Sequence, residues 1–167
     1  MHRRTKQTVL VVAALVFLSV LIITTLNMLS KPPNGLGDAK QLAQCPDTPN
    51  CVCSQAERDS QRIPPIAYSG SAAQAIDVLK QIIGEMPRSK LVVEDAGYLH
   101  FEFRSFLFRF VDDVELLIDE ENSIVHLRSA SRVGYSDFGV NRRRMEEIRQ
   151  RFTHSDQGSS NQQGAMP

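Results

Sequence analysis

The chain has 167 residues, 42% of them apolar, with 19 basic and 19 acidic side chains in exact balance. That length holds one domain once the two ends are set aside. With zero net charge, nothing global argues for nucleic acid, which is not expected as a partner, and no cofactor or metal is expected.

Residues 1–7 form a short basic tail carrying Arg3, Arg4 and Lys6. Residues 8–29 follow without a single charge, rich in Val, Leu, Ile and Ala. As a helix they reach ~33 Å, enough for a hydrocarbon layer of ~30 Å. The basic flank before the span, against Lys31 alone just after it, predicts a cytoplasmic N-terminus and an extracytoplasmic remainder. The apolar run is longer than a signal-peptide core, and residues 27–31 offer no small-residue cleavage site, so an uncleaved signal anchor is expected. The expected location is a cell membrane crossed once, with the C-terminal domain in the periplasm if the source has two membranes.

Residues 30–44, SKPPNGLGDAKQLAQ, have the composition of a linker that lets the domain stand off the bilayer. Residues 45–53 read CPDTPNCVC. In an oxidising compartment Cys45 pairs naturally with Cys51, and Cys51 with Cys53 is disfavoured by bridge geometry. A zinc site with His100 or His126 is the rival reading, although the spacing matches no common finger.

Residues 63–68, IPPIAY, suit an extended edge segment, because proline cannot serve a central strand. Ser71 to Gln74 has the form of a capping box. Ala72, Ala75, Ile76, Leu79, Ile82, Ile83 and Met86 then fall on one helical face, and Gly84 and Pro87 mark the end. Strands are expected over residues 90–94, 98–104, 113–119 and 124–131. A turn at residues 95–97 separates the first two, and a second at residues 120–123 the last two. The apolar parity switches after Arg104 to Phe106, Phe108 and Phe110, which predicts a bend, bulge or tight turn near Ser105. A final helix starts near Asp137, with Ser136, Asp137 and Asn141 as rival caps and Met145, Ile148 and Phe152 on one face. Residues 153–167 are polar and aperiodic, and disorder is expected there. The order strand, helix, four strands, helix predicts an α+β domain over residues 45–152 with an antiparallel sheet.

CPDTPNCV, IPPIAY, the FRFVDDVE run and RSASRVGYSDFGVNRRRMEEIR together resemble the domain of unknown function 1499 family. The resemblance covers residues 45–152 and implies an uncharacterised protein, membrane-attached or exported. That family usually has Ser where this chain has Cys53, which implies that Cys45–Cys51 is the structural pair.

Two charge runs stand out. Six carboxylates and no basic group lie between Asp112 and Glu121, while seven arginines lie between Arg128 and Arg151. Arg128, Arg132 and Arg142, with Ser136, Asp137, Gly139 and Asn141 at a helix start, are the candidate site for an anionic small molecule or lipid headgroup. The competing reading is a structural network in which Asp112, Asp113 and Asp137 occupy those arginines. Asp112 and Asp113, adjacent on a strand, should point to opposite faces. An envelope hydrolase using His126, Ser131 and Asp137 is the enzymatic alternative, although no G-x-S-x-G elbow accompanies them. An envelope protein docking on an exposed sheet face is a third class.

Overall fold

The computed structural model describes residues 2–32 and 35–163. Helix α1 (His2–Met28) is long and apolar enough to cross a membrane, and its most apolar window is wholly unburied. The domain sits beyond its C-terminal end. There the Asn27 side-chain amide donates to the Phe108 carbonyl at 2.9 Å.

The domain begins with β1 (Cys51–Cys53), a short strand that the sequence reading did not resolve, and β2 (Ile66–Ala67), the expected edge segment. Helix α2 (Ala72–Glu85) opens on the predicted capping box, in which Ser71 and Gln74 satisfy each other's backbone N–H. It ends where Met86 turns extended before Pro87. Strands β3 (Ser89–Asp95), β4 (Tyr98–Arg104), β5 (Val111–Asp119) and β6 (Ile124–Ser131) form an antiparallel meander. The sheet order is β1-β6-β5-β4-β3, and β2 also pairs with β6. The domain is α+β.

The period of two decides which face is which. Leu99, Phe101 and Phe103 of β4, Val114 and Leu116 of β5, and Val125 and Leu127 of β6 share one face. Leu79 and Ile83 from α2 cover it, with Met145, Ile148 and Phe152 from α3 (Val140–Gln163). Each such side chain, fully buried, contributes ~1.5–3 kcal/mol, so this layer dominates stability.

Residues 105–110 hold the tight turn expected near Ser105, closed by Ser105 N–H donating to the Phe110 carbonyl and Phe110 N–H to Ser105 Oγ, both 2.9 Å. That loop absorbs the parity switch. The final helix runs on to Gln163, past the expected end near Phe152. Asp156 accepts from the Ser69 hydroxyl at 2.8 Å and so ties this extension back to the domain. Residues 164–167, also expected to be disordered, lie outside the described residues.

A second change concerns the expected spacer. Its described residues are docked across the sheet face opposite the helices. Gly37 N–H donates to Glu115 Oε1 at 2.6 Å and Ala43 N–H to the same oxygen at 3.4 Å. Leu42 is buried with Cys53, Tyr98 and Leu117. The segment is a strap, because a buried carboxylate draws its backbone donors in.

Candidate functional site

Beneath the strap lies the other face of the meander. Tyr98, His100 and Glu102 from β4, Asp113 and Glu115 from β5, and Arg128 from β6 point there, with Arg132 just past the strand. An alternating antiparallel strand ordinarily turns such residues to water. Here all are buried or nearly so.

Arg132 holds the centre. It donates from Nε and Nη2 to the two oxygens of Asp113 at 2.8 and 2.7 Å, from Nη2 to Glu102 at 2.5 Å, and from Nη1 to the Ser30 carbonyl at 2.8 Å. His100 Nε2 meets Asp113 Oδ1 at 2.8 Å, and Arg104 completes Glu102 at 2.9 Å. Burial alone would raise the Asp113 and Glu102 pKa values. The guanidinium of Arg132, helped by His100 at Asp113 and by Arg104 at Glu102, outweighs it and holds both below their usual range.

A second cluster adjoins the first. Arg128 pairs with Glu115 at 2.5 Å and donates to the Gln44 carbonyl at 3.3 Å, while Tyr98 donates to Glu115 at 2.9 Å. Burial, then the Glu115 charge, pushes the Tyr98 phenol well above its ordinary value, so it stays a donor.

The candidate anion residues are therefore dispersed. Arg128 and Arg132 are closed against carboxylates under the strap. Ser136 Oγ accepts from Phe138 N–H at 3.3 Å, and Asp137 accepts from Gly139 and Asn141 N–H at 3.0 and 2.7 Å, capping α3. Asn141 is buried on the helix side, where it receives Ser129 Oγ and donates to the Asn50 carbonyl. Arg142 donates to the Ser60 and Arg62 carbonyls. Asp137, Gly139 and Arg142 do line a common cavity of about 250 Å³, but Asp47 and Asp137 there offset Arg58 and Arg142.

Asp112 and Asp113 face opposite ways, as adjacent strand residues must. Asp112 accepts from Ser131 at 2.6 Å and from Arg144 at 2.7 Å on the helix side. Of the hydrolase alternative's residues, His126 belongs to the strapped face, Ser131 to the helix face and Asp137 to the cap. His126 instead meets Ser54 Oγ at 3.2 Å, and its other nitrogen lies 3.7 Å from Asp119, too far for a hydrogen bond. Ser54 Oγ also accepts from Leu127 N–H at 3.0 Å, which makes it a fastener between β1 and β6.

Cys45 and Cys51 form a disulfide. That leaves Cys53 as a free thiol, and burial raises its pKa. With two of the three sulfurs joined, the C-x5-C-x-C stretch cannot supply a zinc set, and no cluster of three metal-binding side chains occurs among the described residues.

A family model described as a protein of unknown function, DUF1499, matches residues 41–152. The chain belongs to the DUF1499 family. No curated protein and no solved structure matches it.

In this DUF1499 domain the matched span begins inside the strap and ends at Phe152 in α3. It thus takes in both polar clusters and a groove of about 480 Å³ that the sequence reading missed. The groove runs between the end of α2, the end of β4 and the start of α3. Arg88, Arg104, Arg143, Arg144 and Arg151 line it, against two carboxylates, Asp112 and Glu147. Arg88 donates to the Arg104 carbonyl at 3.0 Å, and its guanidinium lies 5.8 Å from the Phe106 ring centre. Arg143 donates to the Phe138 carbonyl at 2.9 Å. Neither is paired with a carboxylate among the described residues. Arg143, Arg144 and Arg151 were visible in the sequence as part of the arginine run. Arg88 and Arg104 come from distant elements, and only the fold brings them alongside.

Proposed function

We propose that this chain is a membrane-anchored, extracytoplasmic binding module that takes an anionic small molecule or lipid headgroup. The observation that carries this reading is the groove with five arginines against two carboxylates. Guanidinium groups match phosphate and carboxylate oxygens in a planar, two-pronged way. Arg88 and Arg143 hold only backbone carbonyls there, so they can turn to a ligand without abandoning a buried carboxylate. The charge-free length of α1 supports the anchor, and the disulfide supports an oxidising compartment.

The test has two arms. An alkaline phosphatase fused to the C-terminus of the full chain is expected to be active, and an inactive fusion would reverse the orientation. Native mass spectrometry of the detergent-solubilised full chain is expected to show retained anionic phospholipid or phosphate. The Arg88→Gln/Arg143→Gln variant is expected to lose it. A wild type that carries no anion, or a variant that carries as much, would remove the ligand role.

A further inference from the structure

The end of the sheet nearest α1 carries a cluster of exposed apolar side chains on two loops. Loop 105–110 presents Phe106 at 80% exposure and Leu107 at 59%, and the β6–α3 loop presents Tyr135 and Phe138, the latter at 88%. Phe138 also holds a left-handed φ of 53°, unusual for an aromatic residue. Elsewhere in the domain the exposed large apolar side chains, Leu91, Val92 and Val93 on β3 and Val140 on α3, reach at most 40%, well short of Phe106 and Phe138, and a soluble surface has no use for such a cluster.

The position of α1 says what covers it. Asn27, one residue before the helix ends, donates to the carbonyl of Phe108 in this loop, and Arg132, at the start of the second loop, holds the carbonyl of Ser30. The loops thus begin at the level where the apolar span stops. Aromatic residues concentrate at that level of a bilayer, and arginines beside them meet the phosphates. Arg88, stacked on Phe106, and Arg109, within the loop, supply that charge.

We propose that loop 105–110 and the β6–α3 loop dock into the interfacial layer of the same membrane that α1 crosses. The domain then stands on the bilayer on these two tips, with the β5–β6 turn pointing away. The strap under Glu115 fixes this stance, because it leaves little free chain between helix and sheet. The proposal rests on α1 being a membrane anchor. It does not depend on the arginine groove taking a ligand.

The chain contains no tryptophan, so a single introduced indole reports alone. Full-length Leu107→Trp and Phe138→Trp variants, reconstituted into phosphatidylcholine vesicles, would be compared with Glu121→Trp, on the exposed turn at the far end of the sheet. Co-flotation with the vesicles is read first. Emission is then measured with ordinary lipid and with phosphatidylcholine brominated near the glycerol end of its chains. The expected result is a shift of Leu107→Trp and Phe138→Trp to shorter wavelength, with quenching by the brominated lipid, while Glu121→Trp stays unshifted and unquenched. A co-floating chain whose Leu107→Trp and Phe138→Trp emission matches Glu121→Trp overturns the docking alone. Equal quenching at all three sites means a domain lying flat and overturns it as well. A chain that fails to co-float overturns the anchor and the docking together.

Discussion

Arg132 grips Asp113 with two parallel hydrogen bonds, Nε to Oδ2 at 2.8 Å and Nη2 to Oδ1 at 2.7 Å, and both side chains are almost wholly buried. The same guanidinium reaches Glu102 from β4 and the Ser30 carbonyl from the strap. One side chain therefore joins two strands to the segment leaving α1. Removing it would leave buried Asp113 with His100 alone and buried Glu102 with Arg104 alone. Arg132→Ala is expected to lose ~3–5 kcal/mol of stability, because breaking a buried pair costs far more than the pair contributes. Denaturant unfolding of the full chain in detergent reads this directly. A variant as stable as the wild type would mean that water or another group satisfies those carboxylates.

The pH response of this cluster has a definite sign. Asp113 and Glu102 have folded pKa values below their ordinary 3.8 and 4.5. Their contribution is complete above those ordinary values and is lost as pH falls through the lower folded ones. Wild-type stability should therefore decline as the medium is acidified below about pH 4. In Arg132→Ala the buried carboxylates prefer to be protonated, so the gap to the wild type should narrow on acidification. A gap that stays constant from pH 7 to the acid limb, measured as unfolding midpoints, would contradict the linkage.

Gly37 lies under a different constraint. A Cβ there would stand 2.4 Å from the Gln41 carbonyl oxygen and 2.7 Å from Glu115 Oε1. Gly37→Ala should push the strap off Glu115 at a cost of ~1–3 kcal/mol. It should also speed amide hydrogen exchange at Gly37 and Ala43, which donate to that oxygen. Unchanged exchange at both amides would show that the strap is not held this way.

Much of the helix side was readable because its signals are periodic. Alternation in residues 98–104 and 124–131, and helical spacing from Ala72 to Met86, assign Leu99, Phe101, Phe103, Val125, Leu127, Leu79 and Ile83 to the core face. The Ser71–Gln74 capping box and the Cys45–Cys51 pair are local as well. The strapped face was hidden for the opposite reason. Glu102, Asp113, Glu115 and Arg128 look like the solvated side of an alternating sheet, and only a segment with almost no side-chain signature covers them. Backbone N–H groups of Gly37 and Ala43 do that work, and backbone leaves no trace in residue type. The competing network reading names Asp113, which holds Arg132, but does not name Glu115, which holds Arg128; these partners sit on a neighbouring strand 19 and 13 positions away. The arginine groove was hidden because Arg88 and Arg104 join Arg143 only through the packing of α2 and α3 on the sheet.

The cysteines give a separate test. Peptide mapping without reductant should join Cys45 to Cys51, and replacing either by Ser should cost ~2 kcal/mol, as expected for closing so short a loop. Cys53 is buried with a raised pKa, so maleimide should leave it unlabelled in the native chain and label it after denaturation. Rapid native labelling of Cys53 would mean that the strap and β1 open far more often than their packing implies.

The division of labour between the two arginine sets is the central claim: Arg132 holds the structure, while Arg88 and Arg143 face a ligand. Thermal unfolding of the full chain in detergent, with and without glycerol phosphate at matched ionic strength, tests it most directly. A ligand that binds only the folded state raises the midpoint as its concentration passes its dissociation constant. The account predicts that the wild type shifts upward with glycerol phosphate. Arg88→Gln/Arg143→Gln should start near the wild-type midpoint and show no shift. Arg132→Ala should start far lower yet still respond. A wild type indifferent to glycerol phosphate, or a response abolished by Arg132→Ala and kept by Arg88→Gln/Arg143→Gln, would contradict it.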